Sequence, residues 1–124
     1  AQAAKESGWG TSRFAQEGNN LFGQRCRSKG CGIVPKQRKE GASYEVQAYA
    51  TPYHSIKSYM MNLNTHYAYE TFRAKRQKLD NSDTAHARKV LVRSLQQYSE
   101  RRGDYIEEVI AMMRQIRRES DRLP

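Results

Sequence analysis

The dipeptide Thr51-Pro52 divides this chain by periodicity, and that division constrains the fold more than any other feature. Threonine caps a helix, and proline suits its first position, where the missing N–H would have no partner anyway. Beyond it, Tyr53, Ile56, Tyr59, Met60 and Leu63 recur at helical spacing through about His66. A second helix is expected from Ala68 to about Leu79, ending at Asp80-Asn81. A third starts after Ser82-Asp83 and carries Ala87, Val90, Leu91, Leu95 and Tyr98 on one face. Gly103 breaks it, and a last helix carries Tyr105, Val109, Met112, Met113 and Ile116. The charged tail RRESDRLP is expected to fray. The Met60-Met61 and Met112-Met113 pairs read as core filler, and Tyr53, Tyr59, Tyr67 and Tyr105 as packing residues.

The half before Thr51 has no such period. AQAAKE reads as the last turns of a helix ending near Ser7, with no capping residue before Ala1. A helical turn over Ser12 to Glu17 follows, then the turn GNNLFG and an irregular stretch, RCRSKGCG. IVPKQRKEGASYEVQAY reads as a β-hairpin, because Val46 and Ala48 alternate with Glu45 and Gln47 and Glu40-Gly41 offers a turn. The expected class is α+β, mainly α. Its length of 124 residues fits one domain over residues 1–124, read as lacking its first helix or helices. An absent targeting segment therefore carries no information on compartment.

Lys and Arg number 22 against 13 Asp and Glu, a formal charge of +9. That balance suits a polyanionic partner: nucleic acid, an anionic membrane, or an anionic wall polymer. Arg73, Lys75, Arg76 and Lys78 form one basic cluster, and Arg114, Arg117 and Arg118 another. Glu70, Asp80 and Glu119 interrupt them, and the aromatics mostly occupy apolar-face positions, so solvated helix faces are the simpler reading and docking onto an anionic polymer the other. No apolar run approaches the roughly 20 residues of a membrane span. Cys26 and Cys31 lack further ligands for zinc, since His54, His66 and His86 show no ligand spacing and read as surface or packing residues. A short-loop disulfide is the favoured reading, with an oxidising compartment as its consequence, and two free buried thiols are the other.

Chemistry concentrates at Glu6, a lone acid beside Ser7, Gly8, Trp9 and Gly10. A carboxylate at a helix C-terminal end meets the negative end of the dipole, which raises its pKa. Trp9 packed beneath it would remove water and raise it further. An acid kept protonated is what a glycosidase needs to protonate a leaving oxygen. The bland alternative is an ordinary exposed helical glutamate.

AQAAKESGWG followed by Asn20, Leu21, Phe22 and Gly23 resembles the signature of peptidoglycan N-acetylglucosaminidases of glycoside hydrolase family 73. That family includes the flagellar rod-cap hydrolase and Gram-positive autolysin domains. NNLFGQ, CRSKGC and YATPYHSIKSYMMNLNTHYAY are similar to its Bax-type group in Gram-negative bacteria, and YSERRGDYIEEVIAMM resembles a third family block. The resemblance implies a lysozyme-like fold, with a helical lobe and a small β-lobe flanking a glycan cleft. It implies hydrolysis of the β-1,4 bond after N-acetylglucosamine, with Glu6 as general acid and Tyr98 near the reacting sugar. Ser7, Trp9, Asn20 and Phe22 become candidate substrate contacts. The family's T-x-E-Y string is absent, leaving Glu45 as the preferred second carboxylate and Glu40 as the other candidate. If neither serves, the substrate's acetamido group acts instead.

No metal or other cofactor is implied. The partners expected are peptidoglycan glycan strands and the anionic envelope surface, not nucleic acid, for a monomer in a Gram-negative periplasm or envelope. A wall-binding domain without activity is the first rival, and a basic nucleic-acid-binding protein the second.

Overall fold

The computed structural model describes residues 1–80 and 82–124 and divides them into two compact units. One comprises residues 2–60, and the other residues 61–124 together with Ala1. The class is α+β and mainly α: helices reach 19 residues, whereas the strands have only two or three. Among the described residues, no helix is long and apolar enough to cross a membrane.

The first unit begins with α1 (Gln2–Ser7) and α2 (Arg13–Gly18). Ser12 caps α2 by accepting the Ala15 N–H, and Asn19 closes it in the left-handed conformation, which asparagine tolerates. Three short strands follow: β1 (Arg25–Cys26), β2 (Gly32–Ile33) and β3 (Glu45–Gln47). They form an antiparallel sheet in the order β1-β3-β2, with Val46 opposite both Arg25 and Ile33. The hairpin expected from the sequence is thus β2 and β3, with a turn at Glu40-Gly41. The irregular stretch contains a strand, β1, that two residues flanked by glycine and charge could not signal by alternation. Gly32 is required by packing, since a Cβ there would overlap the Val46 carbonyl on β3.

Helix α3 (Pro52–Thr65) starts at the expected proline but buries a different stripe. Ser55 is wholly buried and Leu63 nearly so, whereas Tyr53 is 65% exposed, Met60 56% and Met61 58%. The Met60-Met61 pair is therefore not core filler, and neither Tyr53 nor Tyr67 is a packing residue. The burial of Ser55 is affordable because its hydroxyl donates to the Pro52 carbonyl, satisfying the polar group locally. Tyr59 does pack, its ring stacked on Phe22 with centroids 3.9 Å apart.

In the second unit, a 3-10 turn (Tyr67–Tyr69) leads into α4 (Glu70–Lys78), and α5 (Thr84–Arg93) is capped by Asp83. The third helix was expected to run on past Tyr98. It ends at Arg93, where the Ser94 N–H and hydroxyl both turn back to the Leu91 carbonyl. Leu95 then leads a separate 3-10 turn (Gln96–Tyr98) before α6 (Gly103–Asp121). Tyr105, Ile106, Val109 and Ile110 of α6 are buried with Tyr69, Phe72, Ala87, Val92 and Leu95, and this is the unit's core. Met112 and Met113 are only half-buried. The tail does not fray as expected: α6 continues to Asp121, and Arg122 pairs with Glu119 at 3.4 Å.

Candidate active site

Glu6 stands in the last turn of α1, half-buried, and its surroundings are fixed by two turns that lock themselves. The first is set by Ser7. Its buried hydroxyl donates to the Ala3 carbonyl at 2.6 Å and accepts the Gly10 N–H at 2.9 Å. That bond, with the Trp9 N–H on the Ala4 carbonyl at 2.8 Å, ends the helix directly after the acid. Gly8, Trp9 and Gly10 all adopt positive φ, which glycine takes freely and tryptophan only at a cost of about 1–2 kcal/mol. Trp9 is 54% exposed, so it is not buried beneath Glu6 as expected. Two left-handed neighbours carry the backbone away from the helix instead.

The second turn belongs to Asn20, which is 1% exposed. Its Oδ1 accepts the N–H groups of Phe22, Gly23 and Gln24 at 2.9–3.3 Å. Its Nδ2 donates to the carbonyls of Gln24 and Gln47 at 3.0 and 2.9 Å, tying the turn to β3. This turn brings Gly23 beside the acid: a Cβ on Gly23 would lie 4.0 Å from Glu6 Oε2. Gly23 has φ 72°, a left-handed conformation that glycine adopts freely. Ser7, Asn20 and Phe22, expected as substrate contacts, are all buried and hold the turns around Glu6, whereas Trp9 alone of the four is exposed.

Glu45 sits on β3 and is buried. Its Oε2 accepts the Gly30 N–H at 2.8 Å and its Oε1 the Gly32 N–H at 3.0 Å. These two backbone amides hold its carboxyl below the ordinary carboxylate pKa, with Arg38 and Lys29 adding to the effect. The segment it grips is closed by a disulfide between Cys26 and Cys31. Glu45 thus anchors the loop from the sheet. Glu40 is exposed at the hairpin turn.

Tyr98 belongs to the second unit, in a row of three tyrosines. Its ring is stacked parallel to Tyr105 with centroids 5.9 Å apart and lies 6.2 Å from Tyr69, whose phenol burial pushes up. The basic residues of α4 do structural work there: Arg73 donates to the carbonyls of Leu63 and His66, and Arg76 to the Asn64 side chain. His54, His66 and His86 are exposed, and among the described residues no group of three or more His, Cys, Asp or Glu could hold a metal ion. A groove of about 1000 Å³ in this unit, bordered by Asn62, Tyr67, Gln96 and Gln97, is visible only in the structure. These residues are scattered in sequence and share no motif.

The arrangement around Glu6 gives one carboxyl group, half shielded from water and flanked by two hydrogen-bonded turns, which suits proton transfer to a bound oxygen. Comparison with known proteins shows which family the chain resembles. The Glucosaminidase family, described as mannosyl-glycoprotein endo-beta-N-acetylglucosaminidase, matches residues 1–118. Protein bax of Escherichia coli (strain K12) is 36% identical over 110 residues, covering 89% of this chain and 38% of that protein. The chain therefore spans well under half the length of this relative. No solved structure matches. With nearly its whole length matched and its acid framed in this way, the chain belongs to the Glucosaminidase family.

Proposed function

We propose that this chain hydrolyses peptidoglycan at the β-1,4 bond after N-acetylglucosamine, with Glu6 as general acid. The observation that carries the reading is the seat of Glu6: half-buried, between the Ser7 turn and the Asn20 turn, with Gly23 beside its carboxyl group. Family membership and the likeness to protein bax support a glycosidase. The net charge of +9 suits an envelope polymer rich in carboxylates, and the Cys26–Cys31 disulfide suits an oxidising compartment such as a periplasm.

In this reading Glu6 gives its proton to the glycosidic oxygen as the bond to C1 breaks. The oxygen of the sugar's 2-acetamido group bonds to C1 in its place, forming a cyclic oxazolinium ion. Water then adds to C1 and yields its proton to the Glu6 carboxylate while the acetamido bond opens, so the acid is restored. Substrate assistance is favoured over a second carboxylate because Glu45 is buried and both its oxygens already accept loop amides. Tyr98, which matches the family's third block, is a further candidate residue for the reaction.

Purified peptidoglycan digested by wild type, Glu6→Gln, Glu45→Gln and Tyr98→Phe, with products identified by mass spectrometry, tests this. Wild type should release fragments ending in reducing N-acetylglucosamine, and Glu6→Gln should lose on the order of 10³-fold in rate. Glu45→Gln should keep the product pattern. A high-mannose N-glycan run in parallel should be the poorer substrate. Undiminished hydrolysis by Glu6→Gln would remove it from the acid role, and absence of products from wild type would favour a wall-binding domain.

A further inference from the structure

We infer that the groove in residues 61–124 is a second saccharide-binding site, which seats an N-acetylhexosamine unit of the glycan on the ring of Tyr67. The inference rests on the glycan reading above but uses none of its catalytic residues.

The first observation is the state of Tyr67. Its side chain is 78% exposed, although it lies in a turn whose other tyrosine, Tyr69, is buried in the core. The fold therefore gains little from Tyr67, and an aromatic ring left in water beside a groove invites a partner. The second observation is that the ring is braced. His66 stacks on it with centroids 4.5 Å apart and planes 28° from parallel. His66 is itself fixed, since its Nδ1 accepts the Ala68 N–H and Arg73 donates to its carbonyl. With the imidazole on one face, the high exposure belongs to the other. A rigid aromatic face is what the C–H surface of a pyranose ring stacks on, and little side-chain entropy remains to be lost on binding.

The third observation is the chemistry of the groove wall. Asn62, Gln96 and Gln97 border the same space of about 1000 Å³, large enough for a saccharide unit. Each primary amide offers two donors and an acceptor, which matches ring hydroxyls and an acetamido group rather than a fixed charge. A strand of nucleic acid is the competing occupant, since Lys75 and Arg93 also border the groove. Glu70 stands among them, however, and Arg93 is paired with Glu107 at 4.0 Å. A single platform with neutral amides favours sugar over phosphate.

The test uses the full chain in the Glu6→Gln background, so that the probe is not consumed. Oligomers of N-acetylglucosamine are titrated while backbone amide signals are followed by NMR, with a single-stranded oligonucleotide as the competing probe. Shifts should cluster at residues 66–68, 96 and 97. Tyr67→Ala should weaken binding about tenfold with an unchanged melting temperature, and Tyr67→Trp should restore it. No shifts at residues 66–68, 96 and 97, shifts there unaltered by Tyr67→Ala, or preference for the oligonucleotide would each overturn the inference. Hydrolysis of peptidoglycan by the chain with Glu6 intact separates the two readings. Activity without a Tyr67 effect refutes the groove alone, and saccharide binding at Tyr67 without activity refutes the hydrolase reading alone.

Discussion

Asn20 shows how much one small side chain can organise. It is buried, accepts three backbone N–H groups and donates to two carbonyls, so no part of its amide is left unpaired. Asn20→Ala should cost about 3 kcal/mol, because it removes five hydrogen bonds made by one buried side chain. A chemical denaturation series measures this, and the loss of activity should exceed the loss of folded protein because Gly23 moves away from Glu6. Glu45 makes a pH prediction at the same scale. Its folded pKa lies below the ordinary value of 4.5, so the charged form is the one that stabilises. That contribution is complete above the ordinary value and disappears as pH falls through the depressed one. The melting temperature should be level near neutrality and fall in acid, with a shallower fall in Glu45→Gln. Asp80, depressed by its bonds to Ser82, accounts for part of the remaining slope.

Among the elements, α3 and α4 form a pair in which one supplies the other's terminus. The last carbonyls of a helix have no partner within it, and a cation there also meets the negative end of the dipole. Arg73 on α4 meets both needs by donating to Leu63 and His66 at 2.9 and 2.8 Å. Arg73→Ala should therefore destabilise by about 1–2 kcal/mol, and Arg73→Lys should recover only part, since an ammonium lacks the planar fork. Thermal unfolding monitored by circular dichroism reads the difference. Loss of saccharide affinity should accompany it, because the same arginine steadies the turn that carries Tyr67. Basic residues read from the sequence as a solvated face thus include one that joins two helices.

For the whole molecule, the charge of +9 predicts how binding responds to salt. Attraction to an anionic wall polymer is screened over about 8 Å at physiological ionic strength. Retention on purified peptidoglycan should fall several-fold as salt rises from about 50 to about 300 mM, with kcat on a short neutral oligosaccharide little changed. Salt-independent retention would show that the excess charge serves something other than the wall. A sedimentation assay across that series is sufficient.

Sequence by itself determined the helical half, because Thr51-Pro52, Asp83 and the spacing of Tyr105, Val109 and Ile110 act through neighbours three or four residues away. It also marked Glu6 through a motif that is local in the chain. What it could not reach depended on partners distant in sequence. Strand β1 exists only through β3, some twenty residues on, and Glu45 found its amides across a disulfide loop. The buried stripe of α3 was misread because spacing ranks Tyr53 and Met60 above Ser55, and only tertiary packing decides which face is covered. Periodicity reports which residues share a face; which face meets the core is settled by the rest of the chain.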